Sequence, residues 1–371
     1  MTNIPLSLYV HFPWCVKKCP YCDFNSHRLR NELPELKYID ALGKDLYEEQ
    51  RKEKRQHLTS IFLGGGTPSL FSGESINKLL KNTSRYFSID NCEITIEANP
   101  GSFDQANFAK YREAGVNRLS LGAQSFGLDN LKKLGRIHSP ADIIKAYNGG
   151  RTAGFSRINI DLMFGLPEQD CDSALADLEQ TIALGPEHIS WYQLTIEPNT
   201  IFHKYPPPTP KEDIISEINQ KGQELLEQAG FAQYEVSAFS KPGQSCRHNL
   251  NYWEFGDYIG IGAGAHGKVT RNNAIFRSNK TRIPADYMVD ANTNQYEVSS
   301  NEVTLEFLMN ALRLTHGFDL NLFRTRTRLT EEKLSDFIEQ AKNLGFIDVY
   351  KERVVPSVRG RDFLDDMLLL L

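Results

Sequence analysis

The sequence predicts an α/β protein that joins a partial barrel to a smaller, mainly helical domain at the carboxyl end. Strand-like runs alternate with helix-like segments over the first two hundred residues, and the pattern changes to helices from about residue 300. Several runs are almost continuously apolar, as parallel strands covered on both faces should be. Six βα units in succession are typical of either a doubly wound sheet or an incomplete (β/α)6, TIM-like barrel. The predicted strands are SLYVHF (7–12), SIFLGG (60–65), EITIEA (93–98), RLSLGAQS (118–125), RINIDLMFG (157–165) and HISWYQLTI (188–196).

The barrel helices are predicted from amphipathic stretches between these strands, such as 75–87 and 173–184. A proline-rich break at 204–212 is followed by a helix-like segment at 213–230 and by a strand-like run, YEVSAFS, at 234–240. These segments extend the alternation of strand and helix to the end of the barrel.

The carboxyl-terminal segment has the pattern of a winged-helix module. Two helix-like segments, 302–314 and 330–345, are followed by a hairpin-like stretch at 346–357 and a closing helix. The resulting domain prediction is a barrel at 1–240, a connecting segment at 241–299 and a winged-helix-like domain at 300–371.

Composition and charge exclude several classes of protein. The net charge is −5, from 42 Lys and Arg against 47 Asp and Glu, and no basic footprint of the kind that nucleic acid requires is present. The first residues lack a cationic start followed by an apolar core, so no signal peptide is predicted. No apolar run approaches the roughly 20 residues of a membrane-spanning helix. Six cysteines, three of them clustered, favour a metal site in a reducing cytoplasm over a disulfide framework.

The clustered cysteines are Cys15, Cys19 and Cys22 in CVKKCPYC, directly after the first predicted strand. Loops at the carboxyl ends of barrel strands build active sites, and thiolates select zinc or iron–sulfur clusters. A structural zinc site wants four protein ligands, which His27 or His11 would complete. A four-iron cluster held by three cysteines instead leaves one iron open to a small molecule with an amino group beside a carboxylate.

Polar and glycine residues follow the other strands at the same predicted edge. GGGTPS (64–69) comes after the second strand, where bare backbone lets a ligand approach closely. Glu97, Gln124 and Asp161 end the third, fourth and fifth strands, and Arg136 lies in the loop after Gln124. Together with the cysteines, these residues predict one site on one face of the barrel.

The CxxxCxxC motif resembles that of the radical S-adenosylmethionine (SAM) superfamily. YVHFPWCVKKCPYCDFNSH, FLGGGTPS, IEANPG, RLSLGAQSF, LGRIH, NIDLMFGLP and WYQLTIEPNT, in this order, resemble the oxygen-independent coproporphyrinogen III oxidase family over essentially the whole chain. That resemblance implies a radical SAM partial barrel, a carboxyl-terminal accessory domain, and a [4Fe–4S] cluster on Cys15, Cys19 and Cys22.

The resemblance also implies the SAM-binding residues. In the porphyrinogen-oxidising members two SAM molecules bind side by side. Carried over to this chain, Tyr9, Gly65 and Glu97 contact the first molecule. The second molecule, or whatever takes its place, is lined by Gly66, Thr67, Gln124, Arg136 and Asp161.

Three features depart from the oxidases and resemble a haem-chaperone branch of the same family. Phe24 stands where the oxidases carry a further cysteine, and the first strand begins at about residue 7, without their amino-terminal extension. The segment 246–267 contains an HNxxYW motif formed by His248, Asn249, Tyr252 and Trp253. A neutral imidazole is a common haem-iron ligand, and aromatic side chains beside it would cover a macrocycle. His266 is the rival axial ligand.

The favoured hypothesis is therefore a cytoplasmic haem carrier that holds a [4Fe–4S] cluster and SAM. It would be a monomer or dimer that delivers haem to acceptor haem proteins, including membrane-bound respiratory enzymes, and it would bind no nucleic acid. One alternative is a radical enzyme that oxidatively decarboxylates coproporphyrinogen III. A second is a zinc-bearing winged-helix regulator. His248 and Asn249 also have a purely structural interpretation, as residues that hydrogen-bond a loop.

Overall fold

A computed structural model describes residues 4–371, apart from the side chains of residues 102–106. Its strands in chain order are β1 (Leu6–Phe12), β2 (Trp14–Cys15), β3 (His27–Arg28), β4 (Ser60–Gly65), β5 (Glu93–Ala98), β6 (Arg118–Gln124), β7 (Ile158–Phe164), β8 (His188–Gln193), β9 (Ala232–Glu235), β10 (Ala238–Ser240), β11 (Asp257–Ile261), β12 (His266–Arg271), β13 (Ala274–Lys280), β14 (Thr293–Glu297), β15 (Phe318–Asp319), β16 (Ile347–Tyr350) and β17 (Arg353–Pro356).

The α-helices are α1 (Glu35–Lys52), α2 (Gly73–Ser84), α3 (Ser102–Glu113), α4 (Leu128–Lys133), α5 (Pro140–Thr152), α6 (Cys171–Leu184), α7 (Ile201–Lys204), α8 (Glu212–Gln228), α9 (Arg247–Trp253), α10 (Pro284–Val289), α11 (Ser300–Ala311), α12 (Leu320–Thr327), α13 (Ser335–Asn343), α14 (Val358–Asp362) and α15 (Leu364–Leu368). Two short 3₁₀ segments are Pro68–Leu70 and Glu331–Leu334.

The sheet order decides between the two predicted architectures. Strands β1, β4, β5, β6, β7 and β8 lie side by side in this order and pair in parallel. A doubly wound sheet would reverse its strand order near the middle, whereas this one runs in a single direction. Among the described residues β8 does not pair with β1, so the barrel stays open. The incomplete (β/α)6 barrel is confirmed.

The alternation of apolar and polar residues along β1 shows how the sequence builds the wall of the barrel. Leu8 and Val10 are fully buried in the main hydrophobic core, which they share with residues of α1. Ser7 faces the other way, and its hydroxyl lies 2.7 Å from that of Ser60 on β4. Because successive strand residues point to opposite faces, the outside of the wall is apolar and its interior is partly polar.

Residues 241–299, predicted as a connecting segment, extend the same sheet. β11 pairs in parallel with β1, and β12, β13 and β14 follow as antiparallel neighbours. Helix α9 precedes β11 and packs against β1 and β4. The divisions at 240 and 299 stay a prediction.

One predicted strand is wrong in detail. The run 234–240 is not a single strand but the hairpin β9–β10, which pairs antiparallel across a turn at 236–237. The Glu235 carboxylate accepts hydrogen bonds from the backbone N–H of Ser237 at 3.2 Å and from its hydroxyl at 3.0 Å. This local capping stabilises a turn that the apolar alternation alone does not reveal.

The carboxyl-terminal domain is winged-helix-like, with its own hydrophobic core. α11, α13 and the β16–β17 hairpin match the predicted segments, and β15 joins the hairpin in a three-stranded sheet. Helix α12 was missed, because its short segment includes Thr325 and Thr327, which favour helices only weakly. No helix in residues 4–371 is long and apolar enough to cross a membrane.

Candidate functional site

A cavity of about 430 Å³ opens at the carboxyl ends of the parallel strands. This volume is within the usual range of small-molecule sites, about 300–1,000 Å³. The structure brings most of the predicted site residues together here. Its lining includes Cys15, Cys19, Cys22, Gly65, Gly66, Thr67, Glu97, Gln124, Arg136 and Asp161. Tyr9 does not line it; its hydroxyl hydrogen-bonds His11 in the barrel interior.

Cys15 ends β2, and Cys19 and Cys22 lie on the loop that connects β2 to β3. Residues 15–27 are called the cluster loop. All three thiols are free. A turn closes the motif, because the Cys22 N–H donates to the Cys19 carbonyl at 3.2 Å. Arg136 donates to the Cys19 sulfur at 3.7 Å, and burial raises the pKa of both Cys15 and Cys22. A cationic centre would favour the thiolate forms of Cys15 and Cys22 against this burial.

The His11 ring holds the cluster loop to the barrel wall. Nε2 lies 3.0 Å from the Asn25 carbonyl, and Nδ1 lies 3.0 Å from the Tyr9 hydroxyl. A carbonyl only accepts, so Nε2 carries the proton and Nδ1 accepts from Tyr9. His11 thus has no free nitrogen for a zinc ion.

The donor set fits an iron–sulfur cluster. Within the described residues, no group of three or more His, Cys, Asp or Glu side chains has the spacing of a single-ion site. A cluster presents a different iron to each thiolate, so its ligands need not meet at one point. The soft donors, their shared cavity and the missing fourth protein ligand all suit a [4Fe–4S] cluster with one open iron.

The glycine segment after β4 gives the cavity a wall of bare backbone. Gly65 has φ +111°, and a Cβ there would lie 2.5 Å from the His11 ring. A Cβ on Gly66 would lie 2.6 Å from the Trp14 carbonyl oxygen. Both positions therefore require glycine. The Gly65 N–H donates to Glu97 at 3.0 Å, so this segment and the end of β5 are fixed to one another.

The carboxyl groups of Glu97 and Asp161 both line the cavity. Burial, followed by the charge of Asp161, raises the pKa of Glu97 to about 8. Burial also raises the pKa of Asp161, against hydrogen bonds from Ser190, Asn159 and Ser120. Such groups accept hydrogen bonds from ribose hydroxyls or pair with a cationic ligand.

Arg136 and Gln124 are held by residues that the sequence analysis did not select. Arg136 donates to the Asn99 side chain at 2.6 Å and to the Gly122 carbonyl at 2.7 Å. Gln124 has φ +69° and accepts a hydrogen bond from the Tyr192 hydroxyl at 2.8 Å. Asn99 stands in IEANPG and Tyr192 in WYQLTIEPNT. Their positions at predicted strand ends were the feature of the sequence that could have identified them as site residues.

His248 lies in the barrel interior. Its ring is 1% exposed, with Nδ1 2.9 Å from the Ser60 hydroxyl and Nε2 3.0 Å from that of Tyr252. Burial lowers its pKa to about 3. To bind haem iron, as predicted, His248 would have to give up one of these partners. The two partners lie on β4 and on α9 itself, not on a loop as the structural interpretation of the motif predicts.

The five predicted haem contacts do not form one group. Tyr252 is edge-on to His248, and the Trp253 ring lies under the Arg313 guanidinium at 4.4 Å. Asn249 is half-buried on the same helix, whereas His266 is exposed at the start of β12. Of the two predicted axial ligands, only His266 presents its ring to solvent.

Comparison with known proteins first defines the class. Residues 9–178 match the family model described as the radical SAM superfamily, and residues 298–363 match the HemN C-terminal domain. The solved coproporphyrinogen III oxidase (HemN) of Escherichia coli superimposes with a TM-score of 0.83, over 99% of this chain and 90% of that one, at 22% identity. This likeness shows a shared fold, and together with the two family models it confirms the radical SAM barrel with its accessory domain.

The particular family follows from closer relatives. The chain is 45% identical over 369 residues to the heme chaperone HemW of Escherichia coli K12, covering 99% of this chain and 98% of that one. It is 34% identical to the heme chaperone HemW of Bacillus subtilis 168, over 85% and 86% of the two chains. The chain belongs to the HemW family, which confirms the haem-chaperone branch predicted from Phe24 and the HNxxYW motif.

Proposed function

We propose that this chain is a haem carrier that holds a [4Fe–4S] cluster and SAM and delivers haem to acceptor haem proteins. It acts in the cytoplasm and meets membrane-bound respiratory acceptors at the membrane surface. The observation that carries this proposal is its 45% identity, over 99% of its length, to a relative named as a haem chaperone.

Cys15, Cys19 and Cys22 would hold the cluster, and its open iron would take the amino and carboxylate groups of SAM. When bound, the cluster supplies an electron source and a Lewis acid beside the sulfonium. The bare backbone at Gly65 and Gly66 leaves room for the methionine portion, and Glu97 accepts from the ribose hydroxyls. Tyr9 would support this site indirectly, because its hydroxyl fixes the His11 ring against Gly65.

The remaining predicted residues form the far wall. Thr67, Gln124, Arg136 and Asp161 would line a second SAM or whatever ligand replaces it. Arg136 lies between the Cys19 sulfur and Asn99, so it also places a positive charge beside the anionic cluster.

The test is a haem titration of protein with a reconstituted cluster, followed by mixing with an apo-form of a b-type haem protein. Carriage predicts a Soret band that saturates with haem and then moves to the acceptor's spectrum. A wild-type protein that binds no haem, or that binds it and cannot release it to any acceptor, would contradict the proposal.

The alternative function is the oxidative decarboxylation of coproporphyrinogen III, and the intact cysteine and SAM cavity is the observation that favours it. Anaerobic incubation with dithionite, SAM and coproporphyrinogen III distinguishes the two functions. Protoporphyrinogen in the products would support the alternative, and we expect none.

A further inference from the structure

At the edge of the cavity, which Lys18 and Phe24 line, hydrogen-bonded segments carry an imidazole, two apolar side chains and two cations. We call this group the His266 face, and its members are His266, Phe24, Ile283, Lys18 and Arg282. Phe24 is 57% exposed and Ile283 55% exposed, and the other three residues are also exposed. Large apolar side chains grouped on a surface mark binding sites more often than scattered ones do.

Asn25 fastens the cluster loop to the loop before α10. Its side-chain amide donates to the Ala263 carbonyl and to the Arg282 carbonyl, both at 2.9 Å. The Lys18 ammonium donates to the Phe24 carbonyl at 3.0 Å. Phe24 and Arg282 are therefore fixed within one locally bonded unit.

The start of β12 joins the same unit. The Gly264 N–H donates to the Thr281 carbonyl at 2.9 Å, and the Lys280 N–H donates to the Ala265 carbonyl at 3.0 Å. These bonds hold the residues before His266 against the residues before Arg282. The charge of Arg282 contributes to a lowered pKa at both His27 and His266, as expected for neighbouring groups.

The polar groups of this face have unused binding capacity. Within residues 4–371, Lys18 and Arg282 form no ion pair, and the His266 ring forms no hydrogen bond. Burial first, then Arg277 and Arg282, lowers the pKa of His266. Its imidazole is thus neutral near neutral pH, which is the form that binds iron.

Haem matches this combination of groups. Its iron takes a neutral imidazole, its macrocycle takes apolar side chains, and its two propionates pair with cations. The buried, doubly hydrogen-bonded His248 offers none of these contacts without rearrangement.

We propose that haem is held on the His266 face, with His266 as axial ligand, Phe24 and Ile283 against the macrocycle, and Lys18 and Arg282 paired with the propionates. This inference rests on the proposed function in haem carriage. It also links the two cofactors, because Phe24 and Lys18 belong to the loop that carries the cluster cysteines.

The first test compares haem titrations of cluster-loaded wild-type protein and His266→Ala, read as difference spectra against the haem-free protein. The variant should bind haem at least about tenfold more weakly and lose the resonance Raman signature of imidazole-ligated iron. Free imidazole should restore that signature. The matched control is His203→Ala, which removes another exposed histidine, on α7, and should leave affinity and spectrum unchanged.

A second test addresses the cations with haem dimethyl ester, whose propionates are neutral. Wild-type protein should prefer haem over the ester by about tenfold, and the double variant Lys18→Gln/Arg282→Gln should lose most of this preference. Iron and sulfide analysis of every variant shows whether the cluster is retained.

The outcomes distinguish a failure of the proposed haem carriage from a failure of the His266 face as the haem site. If wild-type protein binds no haem, the proposed function itself fails. If wild-type protein binds haem while His266→Ala keeps the same affinity and ligation spectrum, the His266 face is overturned and haem carriage stands. An unchanged preference for haem in the double variant would likewise overturn the assignment of the propionates.

Discussion

The cavity at the barrel mouth and the barrel interior around α9 are both rich in polar side chains, but they differ in how those side chains are partnered. In the cavity, three cysteines and four acidic residues, Asp23, Glu97, Asp161 and Glu197, line a space of about 430 Å³. Around α9, each nitrogen of His248 lies against a hydroxyl group of the protein. The first region has polar groups available to a ligand, whereas in the second both nitrogens of the histidine are already hydrogen-bonded within the protein.

The two regions are nevertheless neighbours. The Phe62 ring stacks on the His248 ring at 5.0 Å, and the Tyr9 ring lies 6.4 Å from both of them. Tyr9 in turn holds His11, which contacts Gly65 of the cavity wall. The HNxxYW helix therefore supports residues beneath the cavity, and changes there should act through stability and positioning.

The largest effect is expected from Cys19→Ser. Removing one of three thiolates should abolish the cluster chromophore, while the free energy of unfolding changes by less than about 1 kcal/mol, since the partly exposed side chain contributes little to the core. Iron and sulfide analysis with circular dichroism measures both effects. Cys171→Ser, a half-buried cysteine on α6, is the control and should keep its cluster.

The next largest effect is expected from a substitution in the barrel interior. His248→Ala should lower the free energy of unfolding by about 2–4 kcal/mol, because it leaves a cavity and removes a hydrogen-bond partner of the Tyr252 hydroxyl and one of the Ser60 hydroxyl, which keeps Ser7. Haem affinity should stay within about twofold of the wild-type value. Urea unfolding and haem titration measure the two quantities. Weakened haem binding with unchanged stability would instead support His248 as the axial ligand.

These contrasts show what the sequence could predict. The six strands could be predicted from their apolar runs. The three cysteines and seven of the eight residues predicted to bind SAM line one cavity, as expected because the carboxyl ends of parallel strands meet at one edge. The environment of His248 did not follow from spacing. A polar helix face usually indicates solvent, but here it meets a barrel interior that is itself polar, with Ser7 and Ser60 in contact across β1 and β4.

A smaller effect is expected from the pH dependence of Glu97. Its pKa is raised from 4.5 to about 8 in the folded protein, so the folded state keeps a proton that the unfolded chain loses. The associated stability is full below pH 4.5 and is lost as pH rises through the folded pKa. In cluster-free protein, Glu97→Gln should therefore be more stable than wild type at pH 8.5 by about 1 kcal/mol or more.

Denaturant unfolding at pH 5.5 and at pH 8.5 measures this difference. The exposed Glu212→Gln on α8 serves as the control and should follow the wild-type curve. Parallel pH profiles for wild type and Glu97→Gln would show that Glu97 is ionised throughout this range.

The smallest effect is expected from Trp253→Phe, at the far end of the interior region. The Trp253 Nε1–H is buried without a hydrogen-bond partner in the described part of the chain, so removing it should be nearly neutral. Its contact with Arg313 is aromatic and is largely kept by phenylalanine. Stability should change by less than about 0.5 kcal/mol and haem affinity should not change. The control is Trp191→Phe, in the main core, which should lower the free energy of unfolding by more than Trp253→Phe does. A large loss of haem affinity in Trp253→Phe alone would instead support haem binding by the HNxxYW helix.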